Sequence, residues 1–411
     1  MSSNPLRIAV ASDLHFVSEN NVNNGDYYSW LSFQADNSFN NLFWKNLLEK
    51  IEADNITADI LVCPGDITTH GEPIALEFAW EKLLELAKAL DCKLLATATG
   101  NHDVKSRPSD LKNVIRDLNQ NDNLLENLKL LDPPYPFVDL NDTTLAHSNR
   151  VHYFGADYLL YETDKYRVLI INSCSSHSAD QKEYERGSVS ESTMNWIKCD
   201  LQRINNKRKL GILICHHHPI LHSEHNLGSY DFMRGGTELL DMLNSNGRWI
   251  VIHGHKHHAK LNYYSSGSKK AVVFAAGTLS AHKHTLGTDF TNQFYVLNVN
   301  TEKERGTPVG NVDVYSWQGS KWASSRRTCD GIYTGVGFGE PGCLETIAEN
   351  ISKNVKGPVS VPWNDIVEKV PKLKECVPQD INHIKEHLLE FNIDMNLTPE
   401  TEIDSLERSK N

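Results

Sequence analysis

Short apolar runs recur along the first 250 residues, and each is followed by polar or glycine-rich residues and then by a helical pattern. Runs of β-branched and aliphatic residues predict strands over residues 6–11, 60–63, 93–97, 167–172, 210–215 and 248–253. Apolar positions at helical spacing predict helices over residues 43–53, 73–90, 109–130, 191–204 and 237–243. This alternation of strand and helix is typical of an α/β domain.

Two connecting segments carry signals of their own. Asp164 and Lys165 separate the aromatic-rich runs 158–161 and 166–171 and predict the turn of a β-hairpin. Residues 18–40 are rich in asparagine and bear aromatic side chains, yet they are too polar for a core. They predict a loop, which we expect to lie over the mouth of a site.

The pattern changes near residue 294. Runs over residues 294–299 and 309–317 predict further strands, and a charged helical pattern begins at Cys343. We therefore expect a main domain over residues 1–300, its β-rich continuation over 301–340, and a mainly helical C-terminal extension over 341–411.

The extension has an apolar face available for burial. Apolar side chains recur at helical spacing in two groups, Trp363, Ile366, Val367 and Val370, and Ile381, Ile384, Leu388 and Phe391. We expect this face to pack on the main domain, and the alternative is a partner-binding or oligomerisation helix pair. Residues 399–411 are charged and are expected to fray.

Composition is that of a soluble globular protein, with 39% hydrophobic and 23% charged residues. The formal net charge of -12 lacks the basic balance that non-specific nucleic-acid binding requires. The eight cysteines form no Cys-x-x-Cys pair, which indicates free thiols in a reducing compartment. No apolar stretch approaches the roughly 18 residues of a membrane span, and the apolar run at the amino terminus is too short for a signal peptide. We expect a cytoplasmic protein without membrane contact.

Side chains of metal-ligand type directly follow five predicted strands. The five clusters are Asp13-Leu14-His15, Gly65-Asp66, Gly100-Asn101-His102-Asp103, His216-His217-His218-Pro219 and Gly254-His255-Lys256-His257. An α/β sheet presents its site residues at such strand ends. Side chains of residues i and i+2 in an extended segment point the same way. Each Asp-x-His or His-x-His pair is therefore expected to bind a shared metal centre. Glycine in three clusters lets the backbone come close to bound ions.

The donor types indicate a pair of metal ions. A carboxylate such as Asp66 can bridge two divalent ions roughly 3.5–4 Å apart, the arrangement that activates water for attack on phosphorus. Nitrogen and oxygen ligands without thiolate suit manganese, iron, zinc, nickel or cobalt. The lack of cysteine in all five clusters argues against a closed structural zinc site.

A single Asp or His at a strand end is more often a loop cap than a ligand. Five clusters in order on strand ends are much more specific than any one of them. The other histidines differ, and a structural or surface role is expected for His70, His253, His258, His282 and His284 rather than a place in a substrate pocket.

The ordered strings Asp-x-His, Gly-Asp, Gly-Asn-His-Asp, His-x-Pro and Gly-His-x-His resemble those of the calcineurin-like metallophosphoesterase family over about residues 6–300. The resemblance implies a two-sheet sandwich of mixed sheets flanked by helices. It also implies a binuclear centre in which Asp66 bridges the two ions.

The resemblance assigns the other ligands residue by residue. Asp13, His15 and His257 would join Asp66 at one ion, and Asn101, His217 and His255 would join it at the other. His217 is chosen because the family's ligand stands two residues before the proline, here Pro219, while His216 and His218 stay open as alternatives.

The same resemblance implies a mechanism. His102 would stand beside the leaving-group oxygen as the general acid, and Asp103 would orient or charge it. A metal-bridging hydroxide would be the nucleophile.

The residues after Gly65-Asp66 bear on the substrate. They read Ile67 to Pro73 and lack the Asp-Arg-Gly element of the family's protein phosphatases, so they are more similar to the bacterial cyclic-nucleotide phosphodiesterase branch. We expect a small phosphodiester substrate, with a cyclic nucleotide as one candidate. The alternatives are a phosphomonoesterase, a nuclease, which the acidic charge disfavours, and a non-catalytic scaffold like the retromer subunit of this fold.

Overall fold

The computed structural model describes residues 4–19, 29–34, 39, 41–69, 71–104, 125–177, 185–204, 206–222, 232–282, 291–357 and 359–409. The strands are β1 (Leu6–Val10), β2 (Val17–Ser18), β3 (Ser32–Phe33), β4 (Ile60–Cys63), β5 (Leu94–Thr97), β6 (Phe137–Asp139), β7 (Tyr158–Glu162), β8 (Tyr166–Ile171), β9 (Leu210–Ile214), β10 (Arg248–His253), β11 (Lys260–Ser266), β12 (Lys269–Ala275), β13 (Gln293–Asn300), β14 (Val309–Trp317), β15 (Trp322–Ser324), β16 (Gly337–Phe338), β17 (Val361–Pro362), β18 (Ile393–Leu397) and β19 (Ile403–Arg408).

The α-helices are α1 (Leu42–Ala53), α2 (Pro73–Ala89), α3 (Glu126–Lys129), α4 (Ala146–Ala156), α5 (Glu191–Ile204), α6 (Gly236–Ser245), α7 (Leu344–Ser352), α8 (Trp363–Lys369) and α9 (Pro378–Glu390). Two 3-10 helices cover Thr328–Asp330 and Pro371–Glu375. The side chain of Asn41 caps α1 by accepting from the Trp44 amide at 3.1 Å. Pro73 begins α2, where its missing donor costs nothing.

Two mixed sheets form the body of the described chain. The first has the order β15-β14-β13-β1-β4-β5-β6, with β16 paired to β14. The second has the order β11-β12-β10-β9-β8-β7. All six predicted strands are present to within one residue at each end, and β7 and β8 form the predicted hairpin. The predicted two-sheet α/β architecture with flanking helices is confirmed.

Side-chain alternation explains how the sheets stack. On β9 and β10 the residues Ile212, Ile214, Ile250 and Ile252 join the core shared with the first sheet. Their neighbours Leu213 and Val251 point the other way and pack in the cluster that contains Leu239 and Leu243 of α6. Both faces of these strands are therefore buried and apolar. This explains why their sequences are continuous hydrophobic runs instead of alternating polar and apolar residues.

Four of the five predicted helices are present in the structure, and the fifth helix and the predicted loop lie mostly outside the described residues. Helices predicted over 43–53, 73–90, 191–204 and 237–243 are present with shifts of one or two residues. The helix predicted over 109–130 falls largely outside the described residues, which include α3 at its end. Most of the loop predicted over 18–40 also lies outside them.

The C-terminal extension builds a core of its own. Helices α7, α8 and α9 pack with the three-stranded sheet β17-β19-β18, and Ile347, Ile366, Ile384 and Leu406 are among the buried residues. The predicted apolar faces therefore pack mainly within the extension, and the expectation that they pack on the main domain is wrong. A partner or oligomer contact through residues 341–411 stays a prediction.

The expectation that residues 399–411 fray is wrong for β19. This strand pairs with β18, and the Arg408 guanidinium donates to the carbonyls of Phe391 and Ser352 at 2.6 and 3.1 Å. The charged residues conceal the strand in the sequence because only Ser405 and Leu406 are buried there. Within the described residues, no helix is both long enough and apolar enough to cross a membrane.

Truncating the fully buried Leu388 on α9 is expected to destabilise the extension. Leu388→Ala removes a side chain from its core and should lower the free energy of unfolding by about 2–5 kcal/mol. The matched control is Leu389→Ala on the same helix, where the side chain is 56% exposed. Urea unfolding of both variants checks this, and equal effects would contradict the placement of α9.

Candidate metal centre

The five polar clusters meet where strands of both sheets end. The loops after β1 and β4 are joined by hydrogen bonds from the Asp13 amide to the Gly65 carbonyl (3.2 Å) and from the His15 amide to the Asp66 carbonyl (3.0 Å). In the second sheet, the Gly254 amide donates to the His216 carbonyl at 3.1 Å. Backbone pairing therefore continues past the strand ends and holds the side chains together in a buried site.

The backbone of the ligand candidates departs from the expected extended form. Asp13, His15, Asp66, His255 and His257 have φ angles of 52, 48, 52, 84 and 60°, in the left-handed region. The expectation that each pair lies in an extended segment is therefore wrong. Asp and His tolerate this region better than most residues, and such strain persists only where the surroundings enforce it.

A first group of donors gathers around Asp13. The Nε2 atom of His257 lies 3.3 Å from Asp13 Oδ1 and 3.1 Å from His15 Nε2. The Ser12 hydroxyl donates to the other carboxylate oxygen of Asp13. One ligand atom from each of Asp13, His15 and His257 lies within 4.8 Å of the others.

A second group gathers around Asn101. Its Oδ1 atom lies 2.9 Å from His216 Nε2 and 3.0 Å from His255 Nδ1. His216 Nε2 also lies 3.2 Å from Asp66 Oδ2. Because Asp13, Asp66 and His216 also share one 4.8 Å neighbourhood, Asp66 and Asp13 lie where the two groups meet. This position suits a bridging carboxylate.

The geometry favours His216 over the predicted His217 as the ligand. The Nδ1 atom of His216 is 2.9 Å from the Pro64 carbonyl, which orients Nε2 towards Asp66 and Asn101. His217 Nδ1 instead pairs with the Ser173 hydroxyl at 2.8 Å, although a ligand atom of His217 also lies within 4.8 Å of His216 and His255. Successive side chains after β9 point to different sides, and counting back from the proline does not reveal which side faces the centre.

The ring of His218 packs most closely on His253, with ring centroids 4.4 Å apart, and lies 6.4 Å from the ring of His255. Burial lowers the pKa of His218 well below its ordinary value and that of His253 to about 3. These neutral imidazoles match the structural role expected for His253.

His102 lies at the edge of the centre. Its backbone amide donates to Asp66 Oδ1 at 2.7 Å, and its Nδ1 atom lies 2.7 Å from the Thr69 carbonyl. The ring centroid is 5.1 Å from that of His15. The side chain is 8% exposed, so this is one place where the centre approaches the surface.

Asp103 accepts hydrogen bonds from the backbone of two loops, and its predicted part in orienting or charging His102 stays a prediction. Its Oδ1 atom accepts from the Thr68 amide at 3.0 Å, and its Oδ2 atom accepts from the Gly100 amide at 2.9 Å. It therefore braces the loops that carry Asp66 and Asn101, whereas the Thr69 carbonyl orients the ring of His102. Burial and the nearby Asp66 raise the pKa of Asp103 to about 7.

Electrostatics favour metal ligation by His15 and His255. Burial lowers the pKa of His15 to about 4 and that of His255 well below its ordinary value, so both imidazoles keep a lone pair at neutral pH. Burial would raise the pKa of Asp66, but His216 and His102 lower it well below its usual range. Burial would lower the pKa of His216, but Asp66 raises it to about 9.

The residues fit a pair of divalent ions. Nitrogen and oxygen donors converge without thiolate, and two imidazole nitrogens face each other at 3.1 Å beside a carboxylate. A Cβ atom at Gly254 would collide with Ser12 Oγ and Asp13 Oδ2, and one at Gly100 would collide with Asp66. Glycine is therefore required at both places for the ligand loops to approach each other.

A paired substitution tests the choice of histidine. His216→Ala is expected to lower the bound manganese from two ions per chain to one, because the second group loses a ligand that also contacts Asp66. His217→Ala is expected to keep both ions. Metal content after dialysis, measured by inductively coupled plasma mass spectrometry, decides between them, and the reverse pattern would restore His217.

Comparison with known proteins identifies two matching family models. A family model described as calcineurin-like phosphoesterase matches residues 6–259, and a model described as wHTH-Calcineurin_assc matches residues 336–390. No curated protein matches the chain.

Among solved structures, a dimetal phosphatase from Danio rerio is 12% identical with a TM-score of 0.42, over 72% of this chain and 93% of that one. A purple acid phosphatase from yellow lupin is 14% identical with a TM-score of 0.44, over 79% and 53%. A 5'-nucleotidase precursor from Thermus thermophilus is 12% identical with a TM-score of 0.36, over 77% and 55%. Since the matched family model spans more than half of the chain and includes all five clusters, the chain belongs to the calcineurin-like phosphoesterase family.

Proposed function

We propose that this protein is a binuclear metal-dependent phosphodiesterase. The observation that carries the proposal is the pair of donor groups that meet at Asp66, with His102 beside them. Family membership supports hydrolysis of phosphoric esters in general. The preference for a diester goes further and rests on the sequence after Asp66.

The chain's own residues divide the work. Asp13, His15 and His257 would hold one ion, while Asn101, His216 and His255 would hold the other, and Asp66 would belong to both. Two bound divalent ions polarise a phosphoryl oxygen and lower the pKa of water. Manganese, iron, zinc, nickel and cobalt all suit these donors.

His102 is placed to handle the leaving-group proton. With Nδ1–H directed at the Thr69 carbonyl, Nε2 is the nitrogen that can pass a proton to the departing oxygen. The bond from its amide to Asp66 Oδ1 ties the ring's position to the bridging carboxylate. His102 is thus positioned relative to the centre by two separate contacts.

Two competing proposals are weaker. A nuclease would need a basic groove, against a net charge of -12. A non-catalytic scaffold would have no use for a complete ligand set and His102. A phosphomonoesterase stays the main alternative. The free cysteines, five of them buried, support our proposal of a reducing compartment, the cytoplasm.

Substrate preference is tested with two chromogenic esters. With added manganese, the protein is expected to hydrolyse bis-p-nitrophenyl phosphate with a higher kcat/KM than p-nitrophenyl phosphate. The Asp66→Ala variant should lose both activities because both donor groups share this carboxylate. A preference for the monoester would favour the phosphomonoesterase, and inactivity with every divalent metal would favour the scaffold.

Acid catalysis is tested by varying the leaving group. His102→Ala is expected to lower kcat roughly 10²- to 10⁴-fold for a diester with an alkoxide leaving group, such as cyclic AMP. The loss should be much smaller for bis-p-nitrophenyl phosphate, because p-nitrophenolate departs without a proton.

The surface variant His383→Ala on α9 is the control for that experiment. Metal content should stay at the wild-type value in both variants. Equal losses for the two leaving groups would show that His102 acts through structure rather than as an acid.

A further inference from the structure

A second feature is a pocket of about 750 Å³, lined by residues next to β13 and β14 of the first sheet together with Trp30, His282 and Glu400. Its walls include Trp30, His282 and Trp317, and its polar lining includes Asn292, Arg327 and Glu400. We call it the ring pocket. Its volume lies within the range of roughly 300–1,000 Å³ that small-molecule sites occupy.

The aromatic walls are held in place from behind. Trp30 stacks on Phe43 with ring centroids 5.8 Å apart and an interplanar angle of 2°, and its Nε1 atom donates to Asn292 Oδ1 at 3.2 Å. The rings of Trp317 and Phe43 pack edge to face, with their centroids 4.9 Å apart. His282 lies over Trp30 with centroids 4.9 Å apart. The rings are therefore fixed, partly exposed surfaces of the kind on which a planar heterocycle can stack.

Strand topology places the ring pocket at the same sheet edge as the metal ligands. β13 runs antiparallel to β1, so Asn292, just before β13, lies at the end of the sheet where Asp13 follows β1. Trp317 ends β14, whose residue Ser316 pairs with Gln293 at the start of β13. The residues of the pocket and of the centre thus share one edge.

Residues 278–282 connect the two sites through hydrogen bonds. The Thr278 hydroxyl donates to the Asp13 carbonyl at 2.8 Å, and the Trp30 amide donates to the Ser280 carbonyl at 2.9 Å. Residues 278–282 therefore contact the first ligand and form a wall of the pocket. The four peptide units from Thr278 to His282 span at most about 14 Å, which bounds the gap that one nucleoside unit would bridge.

The polar lining narrows the class of ligand. Arg327 offers hydrogen-bond donors, and Glu400 offers acceptors. A nucleobase presents a flat π-face for the rings and both donors and acceptors along its edge. An alkyl or phenyl group would contact the aromatic rings of the pocket but would leave its polar side chains without hydrogen-bond partners from the ligand.

We propose that the ring pocket binds the base of a nucleotide ester whose phosphate lies at the metal centre. This inference rests on the proposed function and specifies its substrate class. In the reaction, the oxygen of water bonds to phosphorus, the bond from phosphorus to the leaving oxygen breaks, and that oxygen takes a proton. The base stays in the ring pocket and is chemically unchanged.

Two diesters with the same leaving group test the proposal. Thymidine 5'-p-nitrophenyl phosphate carries a base, and methyl p-nitrophenyl phosphate does not. The wild type is expected to show a higher kcat/KM for the thymidine ester, and Trp317→Ala should lower the ratio of the two values roughly tenfold, the scale of one base–aromatic stack. Trp317→Phe should keep most of the ratio, and His282→Ala gives a second variant with less effect on packing.

The matched control is Trp196→Ala, since Trp196 lies on α5 and is 50% exposed. This variant should keep the wild-type ratio. A ratio near one in the wild type, or a ratio unchanged in both Trp317→Ala and His282→Ala, would overturn the ring pocket as a base site.

A binding measurement separates this inference from the proposed function. AMP is expected to quench the tryptophan fluorescence of the manganese-loaded protein, whereas ribose 5-phosphate should not, and Trp317→Ala should remove most of the quenching. If neither ester is hydrolysed but AMP still quenches in this way, the phosphodiesterase proposal fails and the ring pocket stands. If the esters are hydrolysed and AMP does not quench, the pocket proposal fails alone.

Discussion

The site depends on a single buried carboxylate. Asp66 is 1% exposed and lies against His216 Nε2 on one side and the His102 amide on the other. A buried carboxylate is stable only when opposite charge or hydrogen-bond donors surround it. The loops after β1, β4, β5 and β9 are all shaped to supply such groups, so the convergence of these strand ends and the chemistry of the centre have the same origin.

The two-sheet core makes that convergence rigid. Strands of both sheets end at one edge, and alternating apolar residues fill the space between the sheets. This support allows Asp13, His15 and Asp66 to keep left-handed backbone conformations that would otherwise relax. The same edge also supports the aromatic walls of the ring pocket, so the donor groups of the candidate centre and the surface proposed for the base depend on one packing arrangement.

The C-terminal extension matches a family model whose name suggests a nucleic-acid-binding motif, but its charge does not suit that role. Residues 336–390 match a model named for a winged helix-turn-helix, a motif that often contacts nucleic acid. Residues 341–411, however, contain thirteen acidic and eight basic side chains. This charge opposes binding to a phosphate backbone. The segment before β19 meets the ring pocket. There the Thr328 amide donates to the Thr401 carbonyl at 3.1 Å, beside the lining residues Arg327 and Glu400.

The sequence by itself determined the strands, the α/β class and the positions of the five clusters, because apolar runs and strand-end polar residues are local patterns. The two-sheet sandwich followed only from the resemblance of its ordered motifs to a known family. Only the tertiary structure decided that His216 faces Asp66, that Asp103 braces two loops, and that the Thr69 carbonyl orients His102. Backbone carbonyls have no sequence signature, and the direction of a side chain in a left-handed loop does not follow strand alternation. Trp30 and Trp317 likewise became neighbours only through the pairing of β1, β13 and β14, since residues 287 positions apart share no local pattern.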